Sequence, residues 1–327
     1  MTGNNITWVL TTGEAGMRSQ ALGLAEAVGL PIEEKRIALR RPWAWFPGGL
    51  LPLPLSALHG RSDRLAPPWP TLVIGCGRRS IDAALAIKRL SGGGTLAAYV
   101  QNPECGLRKF DVVAALPHDG VIGANVLTVA TALHGVTAEK LAAAREAWRE
   151  RLAPNGTPLL GVLVGGDNGS YRLTDAIATQ LIRILRGAYH RHGMRAAMTP
   201  SRRTPEGTKR LIAGALSTEA WGWLWDEESE NPYLGILALA DRLIVTGESI
   251  SMISEALATG RPVHVLPLAG QGRRHDAFLT RIIAQGLVSV IEGDDLDWSF
   301  SGQKPIISTA APAARIRAML GLEVRPQ

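Results

Sequence analysis

The chain has 327 residues, 46% of them hydrophobic and 20% charged, about twice the length of a typical single domain and ample for two buried cores. No aliphatic run reaches the roughly 18 to 20 residues of a membrane-spanning helix, and "MTGNNITWVL" lacks the basic start and apolar stretch of a signal peptide, so a cytoplasmic protein is expected. The formal net charge of +6 lies wholly in residues 1–110, which hold thirteen Lys/Arg against seven Asp/Glu while the remainder holds twenty-two of each, so one basic surface facing something anionic is expected.

In chain order, "ITWVL" (6–10) reads as a strand, "MRSQALGLAEAVG" (17–29) as a helix ended by Gly29, and "TLVIGCG" (71–77) as a strand running into glycines. "SIDAALAIKRLSGG" (80–93) follows as a helix with Ser80 as its cap, then "TLAAYVQ" (95–101) and "FDVVAALP" (110–117) as strands. A helix over 137–152 with Thr137 as cap leads to "APNGTP" (153–158), a Pro/Gly/Asn cluster that marks the expected boundary between domains 1–155 and 156–327.

The pattern then restarts. "LLGVLVGG" (159–166) reads as a strand, 173–193 as a helix capped by Thr174, "RAAMTPSRRTP" (195–205) as a strand ending in a basic loop, and "NPYLGILALA" (231–240) as a helix capped by Asn231. Residues 244–268 read as strand, helix and strand, and a last helix is expected around 311–322, packing back on the first domain. Strands alternating with helices imply parallel sheets covered on both faces, so the expected fold class is α/β with two doubly wound, Rossmann-like domains facing across a cleft. Cys76 and Cys105 are too few for a disulfide framework and lack the spacing of a zinc site; they read as ordinary buried thiols.

The stretch "TGESISMISEALATG" (246–260) carries the most chemistry. Ser249 is a plausible N-cap, Ile250, Ile253 and Leu257 form one apolar stripe, and at helical spacing Ser251 and Glu255 fall together on the opposite side. The helix start after Gly247 offers unpaired N–H groups suited to a phosphate, and Glu255 lies roughly 9 Å further along, the reach from a nucleotide's phosphate to its ribose diol. A solvated glutamate on an exposed face is the equal alternative. "VGGDNGSYRLT" (164–174) places Gly165, Gly166 and Asn168 after a strand, as a generic glycine turn or a phosphate-adjacent loop; it is neither a dinucleotide fingerprint nor a P-loop. In "TPSRRTP" (199–205), Ser201, Arg202 and Arg203 form either an anion grip or a plain surface pair.

His118 and Asp119 in "LPHDG" (116–120) either supply a general base or satisfy their own loop. The segment 35–70 combines six Lys/Arg with three of the nine tryptophans. Arg40, Arg41, Trp43, Trp45 and Phe46 suit an interfacial patch on an anionic membrane, with a buried inter-domain or oligomer contact as the competitor. Nucleic acid is not expected as a partner, because no recognised binding module is present.

On the stretches "GCGRRS", "FDVVAALPHD", "VGGDNGSYRLT", "SRRTP", "NPYLGILALADRLIVTGESISMISEALATGRPV" and "GRRHDAFLTRI", the chain resembles bacterial members of the mitochondrial-fission-protein-like family, whose plant members act in mitochondrial division. That family is similar to GT-B glycosyltransferases, notably the lipid-linked N-acetylglucosaminyltransferase of peptidoglycan synthesis. The resemblance implies a GT-B-like fold, a nucleotide sugar in the second domain and a lipid-linked or glycan acceptor in the first. It carries the phosphate and ribose roles onto Ser249, Ser251 and Glu255. "TTGEAGMRSQ" (11–20) departs from the triple-glycine turn ending in histidine found in GT-B enzymes, which leaves Glu14, His118 and Asp119 as candidate bases.

The expected function is a metal-independent GT-B glycosyltransferase. It would move a sugar from a nucleotide-diphosphate donor to a lipid or envelope-glycan acceptor, peripheral on the inner face of the cytoplasmic membrane and without a resident cofactor. A nucleotide-sugar epimerase of the same fold and a non-catalytic membrane scaffold are the alternatives. The donor sugar and the oligomeric state stay open.

Overall fold

The computed structural model describes residues 4–46, 48, 50–51, 54–217 and 220–323. The chain divides into two compact units, Met1–Gly135 with Ile307–Gln327, and Val136–Ile306.

The first unit is built on β1 (Asn4–Thr11), α1 (Ala15–Val28), β2 (Ile32–Arg36), β3 (Pro70–Cys76), α2 (Ile81–Leu90), β4 (Leu96–Val100), β5 (Val112–Ala115) and β6 (Val126–Thr128). Its six strands form a parallel sheet in the order β2-β1-β3-β4-β5-β6. β3 to β5 read as near-continuous apolar runs because a parallel strand covered on both faces has no wet side; Val73, Ala97, Tyr99 and Val113 are buried in one core with Trp8 and Phe110.

The second unit contains α3 (Ala138–Leu152), β7 (Leu159–Val164), β8 (Tyr171–Arg172), α4 (Asp175–His192), β9 (Arg195–Pro200), α5 (Glu206–Leu216), β10 (Gly222–Leu224), α6 (Tyr233–Leu239), β11 (Arg242–Thr246), α7 (Ile250–Leu257), β12 (Val263–Leu266), β13 (Ala269–Gly270), α8 (Arg273–Ala284) and β14 (Ser289–Val290). A second parallel six-stranded sheet runs β10-β9-β7-β11-β12-β14, and β13 pairs antiparallel with β8. Thr137, Thr174 and Ser249 cap α3, α4 and α7 by accepting from the N–H groups of Lys140, Ile177 and Met252. β12 buries His264 completely. Burial and the nearby Arg242 guanidinium push its imidazole down to about 4.

Three sequence readings change. Ser80 does not cap α2 with its side chain: its hydroxyl donates to the Gly77 carbonyl at 2.8 Å. The expected boundary at 155/156 lies instead at 135/136, because α3 packs on α6: Trp148 and Leu152 share the core of Ile236 and Leu239, and Trp148 lies so close to Gly235 that a side chain there would meet it at 2.4 Å. Asn231 is not the cap of α6; its side-chain oxygen accepts the Tyr233 N–H, and the helix starts after Pro232.

The last helix, α9 (Ala310–Met319), belongs to the first unit and packs on α1 and β5. The returning chain is stitched down at once. Ser308 Oγ accepts the Thr131 N–H at 2.9 Å, and Thr309 Oγ1 accepts the His134 N–H at 3.0 Å while donating to the His134 carbonyl at 2.8 Å.

Candidate functional site

In the second unit β9, β7 and β11 are neighbours in one parallel sheet, so their C-terminal ends bring three loops together: Gly165–Gly166 after β7, Ser201–Thr204 after β9 and Gly247–Ser249 after β11. Loops at this edge of an open α/β sheet form its usual ligand site.

The first two loops are tied to each other. Thr204 Oγ1 donates to the carbonyls of Val164 and Gly165 and accepts the Ser201 N–H, while the Asp167 N–H donates to the Arg203 carbonyl at 3.0 Å. Gly166 must be glycine, because a Cβ there would lie 2.0 Å from the Arg203 carbonyl oxygen.

The third loop contributes Glu248, whose side chain is 0% exposed. Its Oε1 accepts the Gly166 N–H at 2.9 Å and Arg203 Nη2 at 3.1 Å. Gly165 is the matching close approach: a Cβ there would stand 1.7 Å from Glu248 Oε1, and its N–H donates to Thr246 Oγ1 at 2.8 Å. Burial pushes the Glu248 carboxyl above the usual carboxylate range, against the opposing pull of the Gly166 N–H, the Thr246 hydroxyl and the Arg203 charge. The Arg203 side chain is 43% exposed, and Arg202 beside it is exposed.

The start of α8 borders the same loops. Tyr171 donates to Asp276 at 2.6 Å, and Asp276 also accepts the Gly272 N–H at 3.2 Å. Burial and the Asp276 carboxylate raise the Tyr171 hydroxyl to about 12. His275 lies ring to ring with Tyr171 at 5.5 Å and bonds the Glu248 backbone. Burial first, then Arg274 and Arg203, hold its imidazole below the ordinary value and therefore neutral near pH 7.

The structure brings Gly165, Gly166, Ser201, Arg203, Gly247 and Ser249 into this cluster. Asn168 is different: its side-chain oxygen accepts the N–H groups of Ser170 and Tyr171 and builds the turn itself. Glu255 does not lie on a solvated face with Ser251. It is 8% exposed and accepts a hydrogen bond from Tyr233 of α6, while Ser251 is half-buried. A helix that packs on the sheet and also meets Tyr233 has a second buried side, which a single apolar stripe does not reveal. The Tyr233 hydroxyl is in turn pushed well above its ordinary range, by burial and then by Glu255. Glu248, Thr204, Thr246, Tyr171 and His275 are not marked as site residues by the sequence pattern, although Glu248 and Thr246 stand at a strand end beside Ser249.

In the first unit, Asp119 Oδ2 accepts the Leu116 N–H at 3.0 Å and closes its own turn, with His118 Nε2 3.9 Å from Asp119 Oδ1 and both side chains buried. Glu14 is exposed at the start of α1 and accepts from the Thr12 hydroxyl. Trp45 is 69% and Phe46 45% exposed, Trp43 packs on Phe46 at 5.5 Å, the Arg41 guanidinium sits over Trp45 at 5.8 Å, and Arg40 donates to the Ser56 carbonyl. Residues 47, 49, 52 and 53 of this segment lie outside the described residues. Among the described residues no helix is long and apolar enough to cross a membrane, and no group of three or more His, Cys, Asp or Glu gathers as a metal ion requires.

A family model described as mitochondrial fission ELM1 matches residues 15–320. The chain belongs to the ELM1 family. Among curated ELM1 relatives, mitochondrial fission protein ELM1 of Arabidopsis thaliana is 30% identical over 275 residues, covering 77% of this chain and 64% of the plant protein. An uncharacterized protein of Rickettsia prowazekii is 28% identical over 169 residues, covering 51% and 47%. The match thus spans about half to two thirds of these relatives' length. Among solved structures, UDP-GlcNAc 2-epimerase from Neisseria meningitidis bound to UDP-GlcNAc aligns over 97% of this chain and 99% of its own, with TM-score 0.54 and 14% identity. The Methanocaldococcus jannaschii UDP-GlcNAc 2-epimerase aligns over 97% and 99%, with TM-score 0.56 and 12% identity. At such identities the likeness is one of fold: this ELM1-family chain is α/β and GT-B-like.

Proposed function

We propose that this chain is a GT-B glycosyltransferase that moves a sugar from a nucleotide-diphosphate donor to a lipid or envelope-glycan acceptor. The observation that carries the reading is Arg203. A buried carboxylate holds it against a glycine loop, its outer part is open to solvent, and it stands at the C-terminal ends of three adjacent strands of its sheet, β9, β7 and β11, beside the start of α7. Fixed cations and helix N-termini at such a place stabilise a diphosphate as negative charge develops on it.

In the transfer, an acceptor oxygen attacks the sugar's anomeric carbon, the bond from that carbon to the donor's β-phosphate oxygen breaks, and the nucleoside diphosphate leaves. Arg203, Arg202 and the N–H groups following Ser249 take the developing charge, and the Glu255 carboxylate, oriented by Tyr233, takes the ribose hydroxyls. The acceptor's proton goes to a general base. Exposed Trp45 and Phe46 beside Arg41 suit attachment to an anionic membrane, where a lipid acceptor resides.

Calorimetry with UDP, GDP and TDP tests the donor site. Binding of one of them, weakened tenfold or more in Arg203→Ala and in Glu255→Ala, is expected; no binding to any of the three sinks the reading. A second reading, a nucleotide-sugar epimerase, draws on the fold likeness to UDP-GlcNAc 2-epimerases. Incubation with a nucleotide sugar alone separates the two, since only an epimerase isomerises the sugar without an acceptor. A protein that floats with vesicles and binds no nucleotide is a scaffold.

A further inference from the structure

The site in the second unit already holds an anion of its own. The fully buried Glu248 side chain spends Oε1 on the Gly166 N–H and on Arg203 Nη2, the two donors that a ligand phosphate would seek there. Its Oε2 is buried without a hydrogen-bond partner. Two glycines make room for this carboxylate: Gly165 for its contact with Oε1 and Gly166 for the backbone approach that lets its N–H reach it. Among the described residues, the Tyr171 hydroxyl on β8 feels the Glu248 charge, and His275 on α8, itself beside Arg274 and Asp276, bonds the Glu248 backbone.

A phosphate that approaches Arg203 therefore meets a guanidinium whose charge is already shared with a carboxylate behind it. Solvent and salt screen that carboxylate poorly because it is buried, so its repulsion of the ligand grows with the ligand's own negative charge.

We propose that Glu248 sets the ligand charge this site accepts, favouring the diphosphate diester of a nucleotide sugar over the free nucleoside diphosphate. The free nucleotide ends in a phosphate monoester, which carries one more negative charge near pH 8. Both ligands can use Arg203 and the helix start in the same way, but the extra charge faces Glu248 at full strength. A transferase gains from this arrangement, because the product it makes is the species its site holds less well. The proposal rests on the donor-site reading above.

The test is calorimetry at pH 8 in low salt with UDP and with UDP-N-acetylglucosamine, on the unmodified chain, on Glu248→Gln and on Glu248→Ser. Thermal melts report folding, and the serine variant carries the test if the glutamine variant does not fold. The expected result is that removing the charge tightens UDP by about tenfold and the sugar nucleotide by clearly less, so that the ratio of the two dissociation constants falls. An unchanged ratio, or equal weakening of both ligands, overturns the proposal and leaves Glu248 only a positioning group for Arg203. Absence of binding by either ligand to all three proteins overturns the donor-site reading and this proposal with it.

Discussion

Arg203 Nη2 lies 3.1 Å from Glu248 Oε1, and of the two side chains only the arginine reaches solvent. The pair is asymmetric: the arginine survives alone as a surface cation, whereas the carboxylate without its partner is a buried charge that keeps the Gly166 N–H. Arg203→Ala is expected to destabilise the second unit by about 1–3 kcal/mol, measured by urea unfolding at pH 7.

The same carboxyl predicts a pH dependence. Its folded value is raised, so the stability it contributes is fully present below the unfolded carboxylate value of about 4.3 and is lost as pH rises through the folded value. The stability of Glu248→Gln relative to the unmodified chain should therefore climb as pH rises from about 4 through that range. A difference that stays flat, or falls, would show that the buried charge is not a net burden.

Gly166→Ala forces a Cβ to within 2.0 Å of the Arg203 carbonyl oxygen, and backbone cannot yield as a side-chain end can. A loss of about 2–3 kcal/mol is expected, together with loss of whatever binding Arg203 supports. Gly169, with open space around its would-be Cβ, provides the control, and its alanine variant should unfold within about 0.5 kcal/mol of the unmodified chain.

His264 works in the opposite direction from Glu248. Its imidazole stays neutral in the folded chain down to about 4, but takes a proton near 6.5 once unfolded. Stability is present above pH 6.5 and drains as pH falls through that window, by up to about 3 kcal/mol at 1.36 kcal/mol per unit. His264→Gln should flatten the acid limb of the stability profile between pH 6.5 and 4, whatever it costs at neutral pH.

Trp45 and Phe46 stabilise little where they stand, since both are largely exposed. The double alanine variant should keep its melting temperature within about 2 °C while losing flotation with vesicles that contain anionic lipid. Flotation unchanged by the substitutions would remove the membrane from the functional reading.

The parallel sheets were legible because β3, β7 and β11 are short apolar runs ended by glycine or threonine, and the caps Thr137, Thr174 and Ser249 were legible because capping depends on a few adjacent residues. The strand Ile32–Arg36 was not, since "IEEKR" at the sheet edge has few apolar residues to repeat. The burial of Glu255 is hidden for a related reason: periodicity reports one buried face, and the second contact, with Tyr233, comes from the preceding helix α6. Glu248 was passed over because a glutamate beside a capping serine looks solvated until Gly165, Gly166 and Arg203 are folded around it.

The return of α9 to the first unit sets an order on biosynthesis. Residues 136–306 are translated, and can close their own sheet, before Ser308 and Thr309 exist to bond Thr131 and His134. The first unit thus closes after the second, and until residues 307–323 leave the ribosome, α1 waits with the surface meant for α9 uncovered.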